Sequence, residues 1–308
     1  MPRIHLDTDI GGDIDDLCAL AMVLNWAGAE LAGVTTVGDD GGKRAGYARA
    51  ALAIAGRDDI PVAAGADISA GRYRCEMGLP NEADYWPEPV GSAPGPLAAA
   101  LDLLESSINA GATIAAIGPF TNLALLEERQ PGILRRARLV LMGGFVHPPR
   151  AGYPSWGPDM DWNVWVDTPS AFTVFQNSQP TIVSLAVTAE TYLRRAHLPA
   201  LWAGGPLARL IARQAEAFAH DERMESRFGA TCAGVPADII NFQHDALACA
   251  IALGWETGVV WEDVELHGEV RDGLLCQTPQ AGGLPARLVT AVDGAAFSEH
   301  WLRTAVGP

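Results

Sequence analysis

The stretch IHLDTDIGGDIDDLCAL, residues 4–20, decides the fold of this chain. A short apolar run leads into five aspartates within ten residues, a glycine pair lies among them, and a helix-forming run follows. This order predicts a strand, a tight turn and a helix. In an open α/β sheet, ligands bind at the carboxyl ends of the strands, and this loop would lie there.

The aspartates of this loop predict a metal site. Carboxylates so close together repel each other and resist burial unless a positive group lies among them. A hard divalent cation with oxygen ligands is the simplest such group. The alternative for Asp15 or Asp16 is a plain helix-capping role. The five aspartates are Asp7, Asp9, Asp13, Asp15 and Asp16.

Composition limits the class of protein. The chain has 308 residues, 49% of them hydrophobic, which is enough for a large core in one α/β domain over residues 1–308. No apolar run approaches the length of a membrane span, and the N-terminus does not resemble a secretion signal. We therefore expect a cytoplasmic protein that does not bind membranes. Five scattered cysteines without a CxxC pair suggest reduced, mostly buried thiols.

The charge of the chain points away from nucleic acid as a partner. The net charge is −16, and the calculated isoelectric point is about 4.7. Such a chain would repel a phosphate backbone. It suits a neutral or cationic small molecule, or a metal ion.

Short apolar segments alternate with helical segments along the first two thirds of the chain, which predicts a mostly parallel sheet flanked by helices. The predicted strands are residues 31–37, 60–64, 112–117, 139–142 and 181–185. Additional strands are expected near residues 259–271 and 286–292, and helices near 43–55, 97–109, 169–176, 198–219 and 295–305.

Polar residues recur where the predicted strands end. Asp39 and Asp40 follow the second strand, and Thr121 and Asn122 follow a later one. A site at the carboxyl edge of the sheet would produce this recurrence. The long segment 65–96 contains Tyr73, Tyr85 and Trp86, which would either stack on a flat ligand or fill a surface cluster.

Six motifs occur in order along nearly the whole chain: DTDIGGDIDD at 7–16, VTTVGDD at 34–40, GPFTNLA at 118–124, MGG at 142–144, DWN at 161–163 and HDALA at 244–248. Together they resemble the motifs of the nucleoside hydrolases of the inosine-uridine type. The opening DTDIGGDIDD looks like a version of the family's DTDPGxDD that is two residues longer. VTTVGDD is similar to VTTVxGN, and GPFTNLA is similar to GPLTN[IL]A. The remaining matches are MGG at 142–144, DWN at 161–163 (EFN in the family) and HDALA at 244–248 (HDPLA).

This resemblance implies a Rossmann-like α/β fold, a ribonucleoside substrate and one Ca²⁺ ion. The metal ligands would be the carboxylates of Asp9, Asp16 and Asp245 and the backbone carbonyl of Thr121. Asp9 would also take a proton from the attacking water. The residues implied in substrate binding are Asp13, Asp15, Asp40, Met142, Asp161 and Asn163.

The resemblance also assigns His244 to the departing base, as an acid or as a base-contacting residue. The two extra residues of the opening leave open whether Asp13 or Asp15 contacts ribose. The loop histidine of pyrimidine-preferring members is absent near position 75, where Glu76-Met77-Gly78 stands. The family further implies a homodimer or homotetramer.

Two other functions remain open from the sequence. LDTD, residues 6–9, resembles the nucleophile motif of haloacid-dehalogenase-like phosphatases, although Gly11 replaces the expected Thr or Val. A calcium-dependent ribose- or nucleoside-binding protein without turnover is the second alternative. Release of reducing sugar from inosine and uridine would distinguish these readings.

Overall fold

The computed structural model describes residues 1–68 and 72–307, and a central sheet runs through them. A separate small sheet holds two more strands. The strands are β1 Arg3–Thr8, β2 Glu30–Thr36, β3 Val62–Ala64, β4 Thr113–Ala116, β5 Arg138–Met142, β6 Thr181–Val183, β7 Tyr192–Arg194, β8 Ile239–Phe242, β9 Val260–Arg271, β10 Leu274–Pro279 and β11 Leu284–Ala291.

Helices cover both faces of the central sheet. A short 3₁₀ turn at Arg195–His197 and a π-helical turn at Glu225–Gly229 complete the regular structure of the described residues. The helices are α1 Asp15–Asn25, α2 Lys43–Ile54, α3 Glu82–Tyr85, α4 Leu97–Asn109, α5 Thr121–Arg129, α6 Trp162–Trp165, α7 Thr168–Asn177, α8 Leu185–Thr188, α9 Leu198–Ala203, α10 Pro206–Glu222, α11 His244–Ala252 and α12 Gly294–Ala305.

The order of strands in the central sheet is β10-β9-β11-β6-β5-β4-β1-β2-β3. All pairings from β11 through β6 to β3 are parallel, and β9 is antiparallel to both β10 and β11. The predicted single-domain α/β fold with a mostly parallel sheet and extra C-terminal strands is thereby confirmed.

Two features differ from the expectation. The small antiparallel sheet of β7 and β8, and the strand β10, were not predicted. The helical segments expected over 198–219 are the two helices α9 and α10, which are separate because the chain is extended at Gly204 and Gly205 and Pro206 then begins α10. Proline fits the first turn of a helix, where its missing N–H has no intrahelical partner.

The packing of α1 places the site. Residues 15–23 of this helix are all buried, because α1 lies against α11 and α12 and also contacts α10 and β2. The indole N–H of Trp301 donates to the carbonyl of Cys18 at 3.1 Å and ties α12 to α1. The contact with α11 brings the first turns of two helices, distant in sequence, to the same edge of the sheet.

In residues 1–68 and 72–307, no helix combines the length and apolar character that a membrane crossing requires.

Candidate active site

A cavity of about 790 Å³ lies at the carboxyl edge of the parallel strands. Its two ends differ in chemistry. The acidic end is lined by Asp9, Asp13, Asp15, Asp16, Asp161, Asn163 and Asp245. The aromatic end is lined by Trp156, Phe228, Phe242 and His244.

Three carboxylates of the acidic end form a tight group. Asp15 and Asp16 lie in the first turn of α1 and Asp245 in the first turn of α11, and they offer oxygen atoms within 4.8 Å of one another. The backbone N–H of Asp245 also donates to Asp15 Oδ2 at 3.3 Å. Burial, followed by mutual repulsion, raises the pKa of each carboxyl well above its ordinary value. A divalent cation with hard oxygen ligands would relieve both costs, so the donor set fits such an ion.

Asp9 lies just past the end of β1 in the same cavity. Burial raises the pKa of its carboxyl, while the positive charge of Arg44 acts in the opposite direction. Gly118 packs against it so closely that an added Cβ would lie 2.9 Å from Asp9 Oδ1. Asp13 is more exposed, and its carboxylate accepts hydrogen bonds from the backbone of Ile14 and the side chain of Asn241.

Asp161 presents an unpartnered oxygen atom. Its Oδ2 accepts from the backbone N–H of Gly144 at 2.6 Å, whereas Oδ1 is buried without a hydrogen-bond partner in the described chain. Burial raises the pKa of Asp161 to about 7. Gly143 has a φ of 138°, and a Cβ there would lie 3.1 Å from Asp161 Oδ1. A ligand hydroxyl that donates to Oδ1 would satisfy this carboxylate.

Asn163 is held by two strand ends. Its Nδ2 donates to the carbonyls of Ile117 and Met142, both at 3.0 Å, and both of those residues line the cavity. Since the amide N–H groups serve the backbone, the amide oxygen of Asn163 is the atom available to a ligand. Met142 is the last residue of β5 and lies at the cavity wall.

Two of the predicted residues, Asp40 and Thr121, are not among the residues that line the cavity. Asp40 is exposed in the turn before α2, and the side chain of Arg44 reaches the cavity from that region instead. Thr121 is buried at the start of α5, where its hydroxyl donates to Asp167 at 2.6 Å. The backbone position of this region that lines the cavity is Ile117, four residues earlier.

The aromatic end is a cluster of stacked rings. The rings of Phe242 and His244 are 5.5 Å apart at 30°, and Trp156 meets Phe242 edge to face at 5.0 Å. Phe228 contacts both Trp156 and Phe242. Such a wall suits the flat face of a heterocyclic base.

His244 is half-buried and is hydrogen-bonded on one side. Its Nδ1 lies 2.6 Å from the hydroxyl of Thr188. Burial lowers the pKa of the imidazole to about 3, so the ring is neutral at pH 7. In this state His244 offers a hydrogen bond to a ligand, and protonation of the ring is costly.

The aromatic residues of segment 65–96 were expected either to stack on a flat ligand or to fill a surface cluster, and they differ in where they lie. Tyr85 lines the cavity and donates its hydroxyl to Asp221 at 3.0 Å. Trp86 stacks on Tyr47, with 5.0 Å between ring centroids, and belongs to the core. The hydroxyl of Tyr73 accepts from the backbone N–H of Gly38.

Sequence reasoning missed Arg44, Ile117 and Asn241. Arg44 had one available signal: a cation in the first turn of a helix opposes the helix dipole and needs a reason to be there. Ile117 acts through its backbone, so its side-chain type carries no signal. Asn241 lies in β8, a strand that the sequence pattern did not reveal.

Comparison with known proteins agrees with this geometry. Residues 4–299 match the family described as inosine-uridine preferring nucleoside hydrolase. A pyrimidine-specific ribonucleoside hydrolase from Enterobacter sp. is 32% identical over 291 residues, covering 88% of this chain and 86% of the relative. Its counterpart from Citrobacter koseri is 31% identical over 239 residues, covering 72% and 71%.

Solved structures show the same fold at lower identity. A plant nucleoside hydrolase superposes with a TM-score of 0.78 at 18% identity, covering 100% of this chain and 99% of its own. A purine-preferring ribonucleoside hydrolase from Gardnerella vaginalis gives 0.74 at 18% identity, covering 99% and 98%. The fold, the arrangement of the cavity and the full-length family match agree. The chain therefore belongs to the inosine-uridine preferring nucleoside hydrolase family and is an enzyme of the hydrolase class.

Proposed function

We propose that this enzyme hydrolyses the N-glycosidic bond of ribonucleosides to ribose and free base, with Ca²⁺ as its cofactor. One observation carries the proposal. The buried carboxylates of Asp15, Asp16 and Asp245 share a cavity with the unpartnered oxygen of Asp161 and with an aromatic wall. A metal-assisted sugar site beside a base-stacking surface is what cleavage of a ribonucleoside needs.

Asp16 and Asp245 are the central metal ligands in this proposal. Asp15 lies within reach of the same ion, and Asp9 lines the cavity beside them. When bound, the cation would fix the vicinal hydroxyls of ribose and make the attacking water more acidic. Asp15, together with the more exposed Asp13, remains a candidate for contact with the sugar.

The carboxylates also suit the developing charge of the reaction. Cleavage of the glycosidic bond builds positive charge on the ribose ring, as in other glycoside hydrolyses. Negative groups that are already fixed around the ring stabilise that charge without reorganisation. Asp9, with a raised pKa, is suited to accept the proton of the attacking water. Asp161 and Asn163 would hold the sugar hydroxyls through Oδ1 and the amide oxygen.

The leaving base would stack on Trp156 and Phe228 and receive a hydrogen bond from His244. Because the ring of His244 is neutral, it is better suited to donate a hydrogen bond to the base than to act as a general acid that protonates it. Similar proteins include both pyrimidine-specific and purine-preferring ribonucleoside hydrolases. A substrate panel should therefore contain uridine, cytidine, inosine and guanosine.

The decisive experiment measures release of reducing sugar from this panel, with Ca²⁺, with a chelator and after Ca²⁺ is restored. We expect activity that the chelator abolishes and Ca²⁺ recovers. Calcium-dependent binding of nucleoside without sugar release would instead identify a binding protein. Calcium-independent turnover would contradict the cofactor.

The phosphatase alternative fits the structure poorly. Its nucleophile would be Asp7, but that side chain is fully buried and accepts hydrogen bonds from Thr35 at 2.6 Å and Asn122 at 2.8 Å. Asp7 does not line the cavity. Hydrolysis of p-nitrophenyl phosphate with Mg²⁺ at a rate above that of nucleosides would revive this alternative.

A cytoplasmic location and a homodimeric or homotetrameric state complete the proposal. The family resemblance supports the oligomer. Sedimentation equilibrium of the purified chain would measure the number of subunits, and cell fractionation would test the location.

A further inference from the structure

Arg44 is a buried arginine at the wall of the cavity. It is the second residue of α2 and only 2% exposed. Its Nε donates to the carbonyl of Gly38 at 2.9 Å, and Nη2 donates to that of Met77 at 3.1 Å. Nη1 donates to the carbonyls of Ile10, at 3.2 Å, and Asp9. Four of the five N–H donors of the guanidinium thus serve backbone carbonyls.

These carbonyls belong to three separate segments. Asp9 and Ile10 form the start of the acidic loop, Gly38 follows β2, and Met77 belongs to the segment between β3 and α4. Met77 and Gly78 line the cavity together with Asp9. One side chain therefore sets the position of the acidic loop relative to the wall that faces it.

The location is unfavourable for a helix and so calls for a compensating role. A cation in the first turn opposes the helix dipole. Asp39 offsets this, since its Oδ1 accepts from the backbone N–H of Arg44 at 2.9 Å and its Oδ2 from that of Ala45 at 3.2 Å. The positive charge also acts favourably on the carboxylates of Asp9 and Asp16.

A lysine could not replace this arrangement. The guanidinium is planar and presents its donors in a fixed fork, whereas an ammonium is a compact point charge on a flexible stem. Lysine would keep the charge but could not span carbonyls on three segments. Charge and geometry can therefore be separated by substitution.

We propose that Arg44 is a positioning residue of the hydrolytic site, which holds the backbone of Asp9 in register with the cavity wall at Met77. This role rests on the proposed nucleoside hydrolysis. Its action is geometric: the fork fixes where the Asp9 carboxylate stands relative to the sugar. Misplacement of a reacting group by about 1 Å can cost about 100-fold in rate.

The test compares Arg44→Lys and Arg44→Met with Arg49→Met. Arg49 lies on the same helix, is exposed, and donates to the carbonyl of Val62 at 3.0 Å, outside the cavity. For each variant, kcat and KM for uridine and inosine, Ca²⁺ affinity by calorimetry and the melting temperature would be measured. Amide hydrogen exchange of peptides that cover residues 9–12 and 77–80 would report on the two segments directly, the second through the amides of residues 77–79 because Pro80 has none.

We expect kcat to fall about 10-fold in Arg44→Lys and about 100-fold in Arg44→Met, with a smaller change in KM. Ca²⁺ affinity should be unchanged or tighter, because a positive charge near the carboxylates has been removed or moved. Exchange at residues 77–80 should accelerate in both variants and stay unchanged in Arg49→Met. General unfolding would instead weaken Ca²⁺ binding and lower kcat and the melting temperature together.

Two results would overturn the proposal. One is a folded Arg44→Lys with kcat within twofold of wild type. The other is unchanged exchange at residues 77–80 in both Arg44 variants. Should Arg44→Met fail to fold, Arg44→Lys decides. Should the wild type release no ribose, the proposed function fails, while the exchange data still decide whether Arg44 holds the two segments together.

Discussion

The two ends of the cavity are built from different kinds of structure. The acidic end takes Asp9 from the end of β1, Asp15 and Asp16 from the first turn of α1, and Asp245 from the first turn of α11. The aromatic end takes Trp156 from the irregular segment after β5. Its other rings come from the π-helical turn at Glu225–Gly229 and from β8 and the residues that follow it.

This difference separates the rigid geometry that a sugar needs from the adaptable surface that a base needs. Ends of parallel strands and first turns of helices meet at one rigid edge, so carboxylates there are held in fixed places. Loops and turns tolerate change in length and sequence, so a base-stacking wall built from them can be altered without moving the sugar site. We therefore expect substitutions at the acidic end to change the rate with every nucleoside, and substitutions at the aromatic end to change the selectivity for the base.

Asp16→Asn should have the largest effect and tests the metal role of the acidic end. We expect Ca²⁺ binding to be lost and kcat/KM for uridine to fall about 1,000-fold, since several kcal/mol of stabilisation disappear. Calcium should raise the melting temperature of the wild type and not of the variant. Asp59→Asn, an exposed residue paired with Arg57, is the control.

In chelator, Asp16→Asn should melt no lower than the metal-free wild type, because one of the repelling carboxylates is gone. A variant that kept full activity and bound Ca²⁺ normally would remove Asp16 from the proposed ligand set. Asp245→Asn should behave in the same way, since it belongs to the same group of oxygen atoms.

Much of the acidic end was predictable because its signals are local. The apolar run of β1, the glycine pair and the helix-forming run of α1 lie within seventeen residues, from Ile4 to Leu20. The approach of Asp245 to Asp15, 230 residues apart, depends on the packing of α11 against α1. No periodicity shows that contact, and only the HDALA motif pointed to it.

The rest of the site could not be predicted for a physical reason. Strand β8, which carries Asn241, is only four residues long and pairs in a small separate sheet. Arg44 reaches the cavity only because α2 begins with its first turn against the acidic loop. Side chains from such irregular or distant segments converge through tertiary packing, which local sequence patterns do not encode.

Asp161→Asn should separate activity from stability at the acidic end. Loss of one charged partner of the sugar should lower kcat about 100-fold for every ribonucleoside tested. Burial raises the pKa of Asp161 to about 7 in the folded state. The stability that this group contributes is therefore present below its ordinary pKa and is lost as the pH rises through about 7.

The variant removes that loss, so at pH 8 and without ligand it should melt at a higher temperature than the wild type. Wild-type kcat/KM should rise with pH through about 7 if the ionised carboxylate binds the sugar, and this limb should flatten in Asp161→Asn. Asp159→Asn, exposed and two residues away, is the matched control. A change in the purine-to-pyrimidine ratio alone would contradict the division between the two ends.

Gly118→Ala should show how narrowly Asp9 is placed. A Cβ at position 118 would lie 2.8 Å from the backbone N of Asp9 and 2.7 Å from Cγ1 of Val37, so the loop must shift. We expect kcat to fall about 10- to 100-fold, because a small displacement of a reacting group such as the Asp9 carboxylate has an effect of this size. Gly95→Ala is the control, because no atom lies within 4 Å of its added Cβ. Equal activity of the two variants would show that the reaction tolerates a shift in the position of Asp9.

His244→Ala should have the smallest effect and tests the aromatic end. A neutral histidine can stabilise the departing base by one hydrogen bond, worth about 1 kcal/mol, so hydrolysis of inosine and uridine should slow about fivefold. p-Nitrophenyl riboside has a good leaving group that gains little from this bond, and its hydrolysis should slow less than threefold. Trp156→Ala should instead raise KM for both natural nucleosides, because stacking acts on the bound base.

If His244→Ala slowed the good and poor leaving groups equally, the ring would act through the packing of Phe242 or through Asp245 beside it. The hydrogen bond to the base would then be withdrawn, and selectivity would rest on the stacked rings alone.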